Sequence, residues 1–337
     1  RMTSKGLFKA ALEVLNLEPV LLNGQAFRWI KSDPDVFYGV ACSRLWRLER
    51  VDEASIRWRV LARCSTSTVA KEDEAVLRGY LQMDVSLDEL YEQWKAADTN
   101  FERFLKKESL RGIRILSQEP LECLLSFICS ANNNIKRISK LVNQLAVIYG
   151  DRLDGIEDGE EFEKITALHP TLAHAFPHLD QFRLEGMTEQ LRRDGFGYRA
   201  GYIRNTVEKL QSEDGEAALE RQKSASTKDA KAFLMGFAGI GPKVADCILL
   251  MSLGHAAVVP LDVHMWNITR SMYLPALPSK AATSRYEEVA SFYLSKFGAY
   301  AGWAQAVLFN AQLGKTEKKA ATDEKEEFVD KKKSKRK

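Results

Sequence analysis

Two glycines separated by a single residue, Gly239 and Gly241, stand between two helical patterns and constrain the fold more than any other feature. A helical run over Lys228–Met235 precedes them, and Pro242 suits the first turn of a second helix, apolar almost all round to about Leu253. Such a helix must be buried, and the glycines permit a tight turn. The free N–H groups before the second helix suit a phosphate, although a purely structural hairpin explains the pattern equally well.

Lys243 lies in the first turn of this buried helix, where a positive charge is poorly placed. The helix N-terminus carries a partial positive charge, and burial also disfavours an ammonium group, so we expect a neutral amine. A neutral amine is a nucleophile that can form a Schiff base with a sugar carbon. The alternative is an ammonium that reaches solvent or contacts a phosphate.

A second candidate group follows in the segment Val258–Trp266. Pro260 biases Val259 towards an extended conformation, and Asp262 then stands at the N-cap position of a helix that runs through Trp266. A carboxylate held by helix amides can stabilise positive charge on a sugar ring or assist proton transfer. The structural alternative is a plain N-cap.

The chain changes from a strand pattern to a helical pattern at about residue 72. We predict short, closely spaced strands over 37–41, 45–48 and 56–60, as in an antiparallel sheet. Ser86 begins a capping-box pattern, and Pro120 suits the start of another helix. We therefore predict an α+β protein, with an antiparallel-sheet N-terminal domain over 1–115, a helical domain over 116–313 and a disordered basic tail over 314–337.

The charge distribution limits how the chain could bind nucleic acid. The net charge is +3, and the segment Lys331–Lys337 holds six positive charges, so the remainder carries −3. Any nucleic-acid surface must then be a local patch. A basic segment of this kind is also typical of nuclear import signals and of arms that attract DNA. We expect a nuclear protein, with a mitochondrial pool left open.

Hydropathy and cysteine spacing argue against membrane and metal partners. The longest apolar stretch, near Ile248–Leu253, is far shorter than the roughly 18 residues that a membrane span needs. The five cysteines are an odd number without paired spacing, which argues against a disulfide framework and for a reducing compartment. No C-x2-C pair is present, so we expect no metal, no iron–sulfur cluster and no other cofactor.

The two candidate segments belong to a larger set that resembles a known family, the helix–hairpin–helix DNA glycosylases, and among them the eukaryotic 8-oxoguanine DNA glycosylases. The resemblance covers roughly residues 15–313. The matching segments, in the order of the family, are Asn23–Trp29, Ser126–Asn134, Gly195–Ala200, Gly239–Cys247, Val259–Trp266 and Gly302–Phe309. Taken together, these segments are highly specific.

The resemblance implies a bifunctional glycosylase and apurinic-site lyase of base excision repair. In the family, a lysine that matches Lys243 attacks C1′ of the damaged nucleotide and displaces the base. The resulting Schiff base permits β-elimination of the 3′ phosphate, and Asp262 matches the catalytic aspartate. The expected partner is duplex DNA with an oxidised guanine opposite cytosine, and we expect the protein to act as a monomer.

The resemblance also implies a pocket for a flipped-out base. Oxidation at C8 turns guanine N7 from an acceptor into a donor, and the backbone carbonyl of Gly24 would accept from it. Gln305 contacts the Watson–Crick edge, and Phe309 covers one face of the base. Cys247 lies against the other face, and Pro260 lines the same pocket.

Residues outside the pocket are expected to contact the DNA. By the same resemblance, the gap left by the flipped base and the orphan cytosine are contacted by Asn132, Arg137, Tyr198 and Arg199. An aromatic ring suits a wedge between base steps, and guanidinium and amide donors suit a base edge. The hairpin turn with Gly239 and Gly241, together with His264, is expected to contact phosphates.

The chain departs from the family pattern in three places. Ala238 replaces the usual hairpin proline, the aspartate common near the end of the last matching helix is missing from 310–312, and the segment Pro275–Ser284 matches poorly. Two other functions remain open from the sequence: a glycosylase for another damaged base, and a catalytically silent DNA-binding module. Gly24, Gln305 and Phe309 argue against the first, and the presence of both Lys243 and Asp262 argues against the second.

Overall fold

A computed structural model of the chain describes residues 4–64, 73–155, 159–212 and 214–311. The predicted basic tail over 314–337 lies outside these residues, as do the last two residues of the predicted helical domain. Within the described part, no helix has both the length and the apolar character needed to cross a membrane.

An antiparallel sheet forms the N-terminal part, as predicted. Its strands are β1 (Lys5–Lys9), β2 (Trp29–Asp33), β3 (Val36–Ala41), β4 (Arg44–Asp52), β5 (Ser55–Arg63) and β6 (Asp154–Gly155). The order is β1-β5-β4-β3-β2, and β6 also pairs with β5. Strands β3 and β4 are joined by Cys42 and Ser43, whose φ angles of 51° and 57° match the twist of a two-residue hairpin.

Helices make up most of the remaining chain. They are α1 (Leu17–Leu22), α2 (Asp73–Tyr80), α3 (Leu87–Ala97), α4 (Thr99–Leu105), α5 (Pro120–Ser130), α6 (Ile135–Tyr149), α7 (Gly159–Leu168), α8 (Met187–Arg193), α9 (Arg199–Ser212), α10 (Gly215–Arg221), α11 (Thr227–Met235), α12 (Pro242–Met251), α13 (Val263–Met272), α14 (Tyr286–Phe297) and α15 (301–311). Two predicted starts are confirmed: the Ser86 side chain caps α3 by accepting from the Glu89 N–H, and Pro120 opens α5.

Most of the helices pack into two apolar cores, and α12 lies between them. One core contains buried residues of α5, α6, α9 and the first part of α12, whereas the other contains residues of α3, α4, α13, α14 and α15. Leu250 of α12 belongs to the second core, and Met251 packs against both. The helix that carries Lys243 in its first turn is therefore held from two sides.

The sheet and the helices are interleaved in sequence. Helices α3 and α4 precede the predicted boundary at residue 115 but pack with α13 and α14, and β6 follows that boundary but extends the sheet. The exact boundary stays a prediction. The α+β class, with an antiparallel sheet beside a helical domain, is confirmed.

Candidate active site

A cavity of about 610 Å³ opens between the segment before β2, the start of α6, helices α12 and α15, and the start of α13. It is large enough for one nucleobase. Its lining includes the predicted groups Gly24, Lys243, Cys247, Pro260, Asp262, His264, Gln305 and Phe309. The structure thus brings together residues that are separated by most of the chain.

Lys243 is the second residue of α12, and its Nζ lies 5.7 Å from the centre of the Phe127 ring. The predicted lowering of its pKa is wrong for the free site. Cys247, one turn further along α12, raises the pKa of Lys243, burial opposes this effect, and Asp262 adds to the rise. Lys243 is therefore an ammonium before DNA binds, and it must lose a proton before it can act as a nucleophile.

Cys247 is buried beneath Lys243 on the same helix. Burial raises the pKa of its thiol, although the nearby Lys243 lowers it. The Cys247 side chain has an apolar body that suits the face of a base. Its position on the cavity wall agrees with the expected role.

Asp262 is the N-cap of α13 and also lines the cavity. Its Oδ1 accepts from the Met265 N–H at 2.8 Å, and its backbone oxygen accepts from the Trp266 N–H at 2.8 Å. The predicted N-cap is therefore confirmed, and the carboxylate also lines the cavity; its catalytic role stays a prediction. Leu261, just before it, is buried and donates its N–H to the Tyr286 hydroxyl at 3.1 Å.

Gly24 has a φ of +91°, a conformation that favours glycine, and its neighbour Gln25 holds the loop in place. The buried Gln25 amide donates to the Arg114 carbonyl at 2.8 Å and accepts from the Leu116 N–H at 3.0 Å. The Gln118 side chain donates to the Gln25 carbonyl at 2.9 Å. Three hydrogen bonds thus fix the backbone that carries the Gly24 carbonyl.

Gln305 and Phe309 lie one turn apart on α15, and both line the cavity. The Gln305 side chain is held in a buried position, with the residue only 6% exposed. Phe309 meets the His264 ring edge-on, with the centroids 6.2 Å apart. The expected pairing of an amide with an aromatic ring on one helix face is present.

Several cavity residues were not predicted as site residues, and two of them, Asn23 and Asn310, bond to each other. The Asn23 Nδ2 donates to the Asn310 Oδ1 at 2.6 Å, and the Asn310 Nδ2 donates to the Ala306 carbonyl at 2.8 Å. The only signal in the sequence is their position beside Gly24 and Phe309. Their bond joins the N-terminal wall of the cavity to α15.

The residues expected to hold the orphan cytosine gather around the α5–α6 connection, outside the cavity lining. Tyr198 is 52% exposed and its hydroxyl donates to the Ala131 carbonyl at 3.1 Å. The Arg199 guanidinium donates to the carbonyls of Ala131 and Asn132 and lies 4.6 Å from the Tyr198 ring centre. Arg137 is exposed and donates to the Gly195 carbonyl at 3.1 Å.

Arg199 differs from a simple exposed donor, because the residue is only 3% exposed. Its bonds to the two carbonyls use Nε and Nη2. Asn132 is exposed, with a φ of +46°, so the same guanidinium supports a left-handed turn in that loop. Arg199 therefore organises the loop, and its contact with DNA stays a prediction.

The two hairpin positions, 239 and 241, are occupied by glycine for different structural reasons. Gly239 has a φ of +84°, and a Cβ there would lie 2.4 Å from the Tyr202 ring. Gly241 is the N-cap of α12 and has open space around it, so a close approach of backbone to a ligand explains it better than internal packing. The turn remains closed despite Ala238, since the Ile240 N–H donates to the Phe237 carbonyl at 3.2 Å.

Among the described residues, no group of three or more potential ligands is arranged to hold a metal ion. The groups that the cavity presents are an amine and a carboxylate, in a space large enough for one base. An amine that can form a Schiff base, a carboxylate beside it and a pocket with a fixed backbone acceptor suit the removal of a base from a sugar.

Comparison with known proteins agrees with this geometry. A family model described as "8-oxoguanine DNA glycosylase, N-terminal domain" matches residues 7–124. The chain is 39% identical over 305 residues to the N-glycosylase/DNA lyase OGG1 of Arabidopsis thaliana, covering 89% of this chain and 78% of that protein. It is 33% identical over 334 residues to the N-glycosylase/DNA lyase of Saccharomyces cerevisiae, covering 90% and 84%.

Solved structures of 8-oxoguanine glycosylases also resemble this chain. The structure of MBOgg1 in complex with a low-affinity DNA ligand has a TM-score of 0.77 at 25% identity, covering 94% of this chain and 98% of that one. The Clostridium acetobutylicum 8-oxoguanine glycosylase/lyase, in complex with double-stranded DNA containing cytosine opposite 8-oxoguanine, has a TM-score of 0.73 at 25% identity and covers 90% and 93%. The chain therefore belongs to the 8-oxoguanine DNA glycosylase family of N-glycosylase/DNA lyases.

Proposed function

We propose that this protein excises 8-oxoguanine opposite cytosine from duplex DNA and then cleaves the strand, through a Schiff base on Lys243. The observation that supports this most strongly is the single cavity that joins Lys243 and Asp262 to Gly24, Gln305 and Phe309. Lys243 and Asp262 supply the reactive groups, and the other three residues form a pocket that suits one base. All of them come from one chain, which supports an enzyme that acts as a monomer. The basic segment 331–337 favours a nuclear location.

Recognition depends on one hydrogen bond. The flipped base lies between Phe309 and Cys247, with its Watson–Crick edge towards Gln305. The N7–H of 8-oxoguanine donates to the Gly24 carbonyl, whereas unmodified guanine presents a lone pair to the same oxygen. The lost bond and the unsatisfied buried acceptor disfavour guanine by on the order of 1–3 kcal/mol. The bonds around Gln25 keep the carbonyl from turning away.

The chemical steps use the amine and the carboxylate. Once Lys243 has lost its proton, the Nζ lone pair forms a bond to C1′, the glycosidic bond breaks, and its electron pair leaves with the base, which is protonated on departure. Asp262 stabilises the positive charge that develops on the sugar. Loss of the ring oxygen from C1′ then gives the Schiff base, and removal of a C2′ proton expels the 3′ phosphate.

Borohydride trapping tests this proposal. The intact protein is incubated with duplexes that contain 8-oxoguanine opposite each of the four bases, with sodium borohydride present. We expect a covalent adduct, strongest opposite cytosine. Lys243→Gln should give no adduct and lose excision by a factor on the order of 10³ or more, while its Kd for the duplex stays similar. A wild-type protein that binds the duplex but neither cleaves nor traps it would contradict the proposal.

A further inference from the structure

We propose that Asp246 and Tyr286 are positioning residues that hold the Lys243 helix and the Asp262 loop at a fixed separation. This inference rests on the proposed function and adds two residues to it. Neither residue lines the cavity, so neither touches the base or the sugar. Their effect on the reaction must pass through the groups that they hold.

One oxygen atom joins the two catalytic segments. The Tyr286 hydroxyl donates to the Asp246 Oδ2 at 2.6 Å and accepts from the Leu261 N–H at 3.1 Å. Asp246 lies three residues after Lys243 on α12, and Leu261 directly precedes Asp262. The first residue of α14 therefore connects the helix of the amine to the loop of the carboxylate.

A third helix completes the network. Asp246 is only 2% exposed, and the Lys231 Nζ of α11 lies 3.1 Å from its Oδ2 and 3.0 Å from its Oδ1. The approach to Oδ1 is an ion pair without hydrogen-bond geometry. The same ammonium lies 4.9 Å from the centre of the Tyr286 ring. Helices α11, α12 and α14 thus meet at one buried carboxylate beside the site.

The ionisation of Asp246 does not itself stabilise the fold at neutral pH. Burial raises the pKa of Asp246, while Tyr286 and Lys231 lower it without reversing the rise. A group whose pKa is raised in the folded protein adds stability only at low pH and loses that contribution as the pH rises through the folded value. At neutral pH the ionised Asp246 therefore disfavours folding, which is consistent with a residue kept for the geometry of the site.

The position of the Asp246–Tyr286 network predicts which substrates depend on it. A displacement of about 1 Å between reacting groups can slow a reaction on the order of 100-fold. Lys243 and Asp262 act on an abasic site as well as on a damaged nucleotide, whereas the base pocket acts only when a base is present. Loss of the Tyr286 hydroxyl should therefore slow both substrates, and loss of a pocket contact should slow only one.

The test compares Tyr286→Phe with Tyr293→Phe. Tyr293 is a matched control because it lies on the same helix, is buried, and pairs its hydroxyl with Thr269 at 2.8 Å, in the second core. We expect Tyr286→Phe to lower single-turnover rates on 8-oxoguanine duplexes and on abasic-site duplexes by about 10- to 100-fold, with an unchanged Kd. Tyr293→Phe should leave both rates within about twofold of wild type, since its hydroxyl meets α13 at Thr269, about two turns beyond the Asp262 cap, and does not join that helix to α12.

Two variants of Asp246 give a second readout. Asp246→Asn retains an acceptor for the Tyr286 hydroxyl and should keep most of the rate, whereas Asp246→Ala should lose as much as Tyr286→Phe. Equal rates in these two variants, or a folded Tyr286→Phe with wild-type rates on both substrates, would overturn the inference. A wild-type protein that is inactive on both substrates would instead overturn the proposed function, so the two failures are distinguishable.

Discussion

At the scale of single residues, Asp262 shows why one side chain is difficult to test by simple deletion. The carboxylate caps α13 through its bond to the Met265 N–H, and it also lines the cavity beside Lys243. Removal of the side chain would weaken the helix and the reaction together. Asparagine separates the two, because its side-chain oxygen caps a helix about as well as that of aspartate but bears no charge.

We therefore expect Asp262→Asn to fold almost normally and to react slowly. Its free energy of unfolding should stay within about 0.5 kcal/mol of wild type, since the cap is kept. Its single-turnover excision of 8-oxoguanine should fall by a factor on the order of 10²–10⁴, since the negative charge is lost. Urea denaturation and a quenched cleavage assay measure the two quantities.

Asp262→Ala is the matched control, since it removes the cap and the charge together. It should lose about 1 kcal/mol of stability as well as the activity. If Asp262→Asn excises the lesion at the wild-type rate, the carboxylate is only a cap, and the catalytic role assigned to it is wrong.

The charge state of Lys243 could not be predicted from its own segment. Helix position and burial both indicate a neutral amine, but the folded site places Cys247 and Asp262 near Nζ, and they raise its pKa. One of these residues lies on the same helix and the other follows a loop. Local sequence identifies the nucleophile, whereas its protonation depends on the tertiary arrangement around it.

At the scale of elements, the cavity depends on contacts between segments far apart in the chain. Asn23 and Asn310 connect the segment before β2 to α15 through one hydrogen bond of 2.6 Å. Gly24 lies next to the first residue and Phe309 next to the second. The bond therefore keeps the carbonyl that we propose contacts N7 in register with the ring that we propose covers the base.

A double-mutant cycle should show this coupling. We expect Asn23→Ala and Asn310→Ala each to slow excision of 8-oxoguanine about 10-fold, because either change loosens one wall against the other. The double variant should be little slower than either single one. Single-turnover rates of the four proteins give the coupling energy, expected at about 0.5–3 kcal/mol.

Cleavage of an abasic-site duplex is the internal control for this cycle. No base occupies the pocket in that substrate, so all four proteins should cleave it at similar rates. Additive losses on 8-oxoguanine, or equal losses on both substrates, would show that the two asparagines do not act together on base recognition.

Sequence patterns predicted those elements whose cues are local. The three strands, the capped start of α3, the proline-led starts of α5 and α12, and the N-cap of α13 all follow from a few adjacent residues. Strand β6 was missed because two residues carry no periodicity, and their pairing with β5 comes only from the folded chain. Tyr286 was missed because it follows a segment that matches the family poorly.

At the scale of the whole molecule, buried ionisable groups make stability depend on pH. Burial raises the pKa of Glu122 on α5 to about 7, against the nearby Arg28, and Glu119 adds to the rise. The folded pKa is above the ordinary value of 4.5. The contribution of Glu122 to stability is therefore complete below that ordinary value and disappears as the pH rises through about 7.

We expect the free energy of unfolding of wild type to fall, relative to that of Glu122→Gln, between about pH 5 and pH 8. The glutamine keeps the size of the side chain but does not titrate. Urea denaturation of both proteins at several pH values measures the difference. Parallel curves over this range would show that Glu122 ionises in the folded protein as it does in the unfolded chain.

The bond between Asn23 and Asn310 spans 287 positions of the chain, and this has a consequence for synthesis on the ribosome. The N-terminal wall of the pocket emerges early, and α15 emerges after Lys243 and Asp262. A nascent chain can therefore contain Lys243 and Asp262 while it still lacks Gln305 and Phe309, the residues proposed to hold the lesion. The order of translation thus completes the proposed base pocket only once α15 has been made.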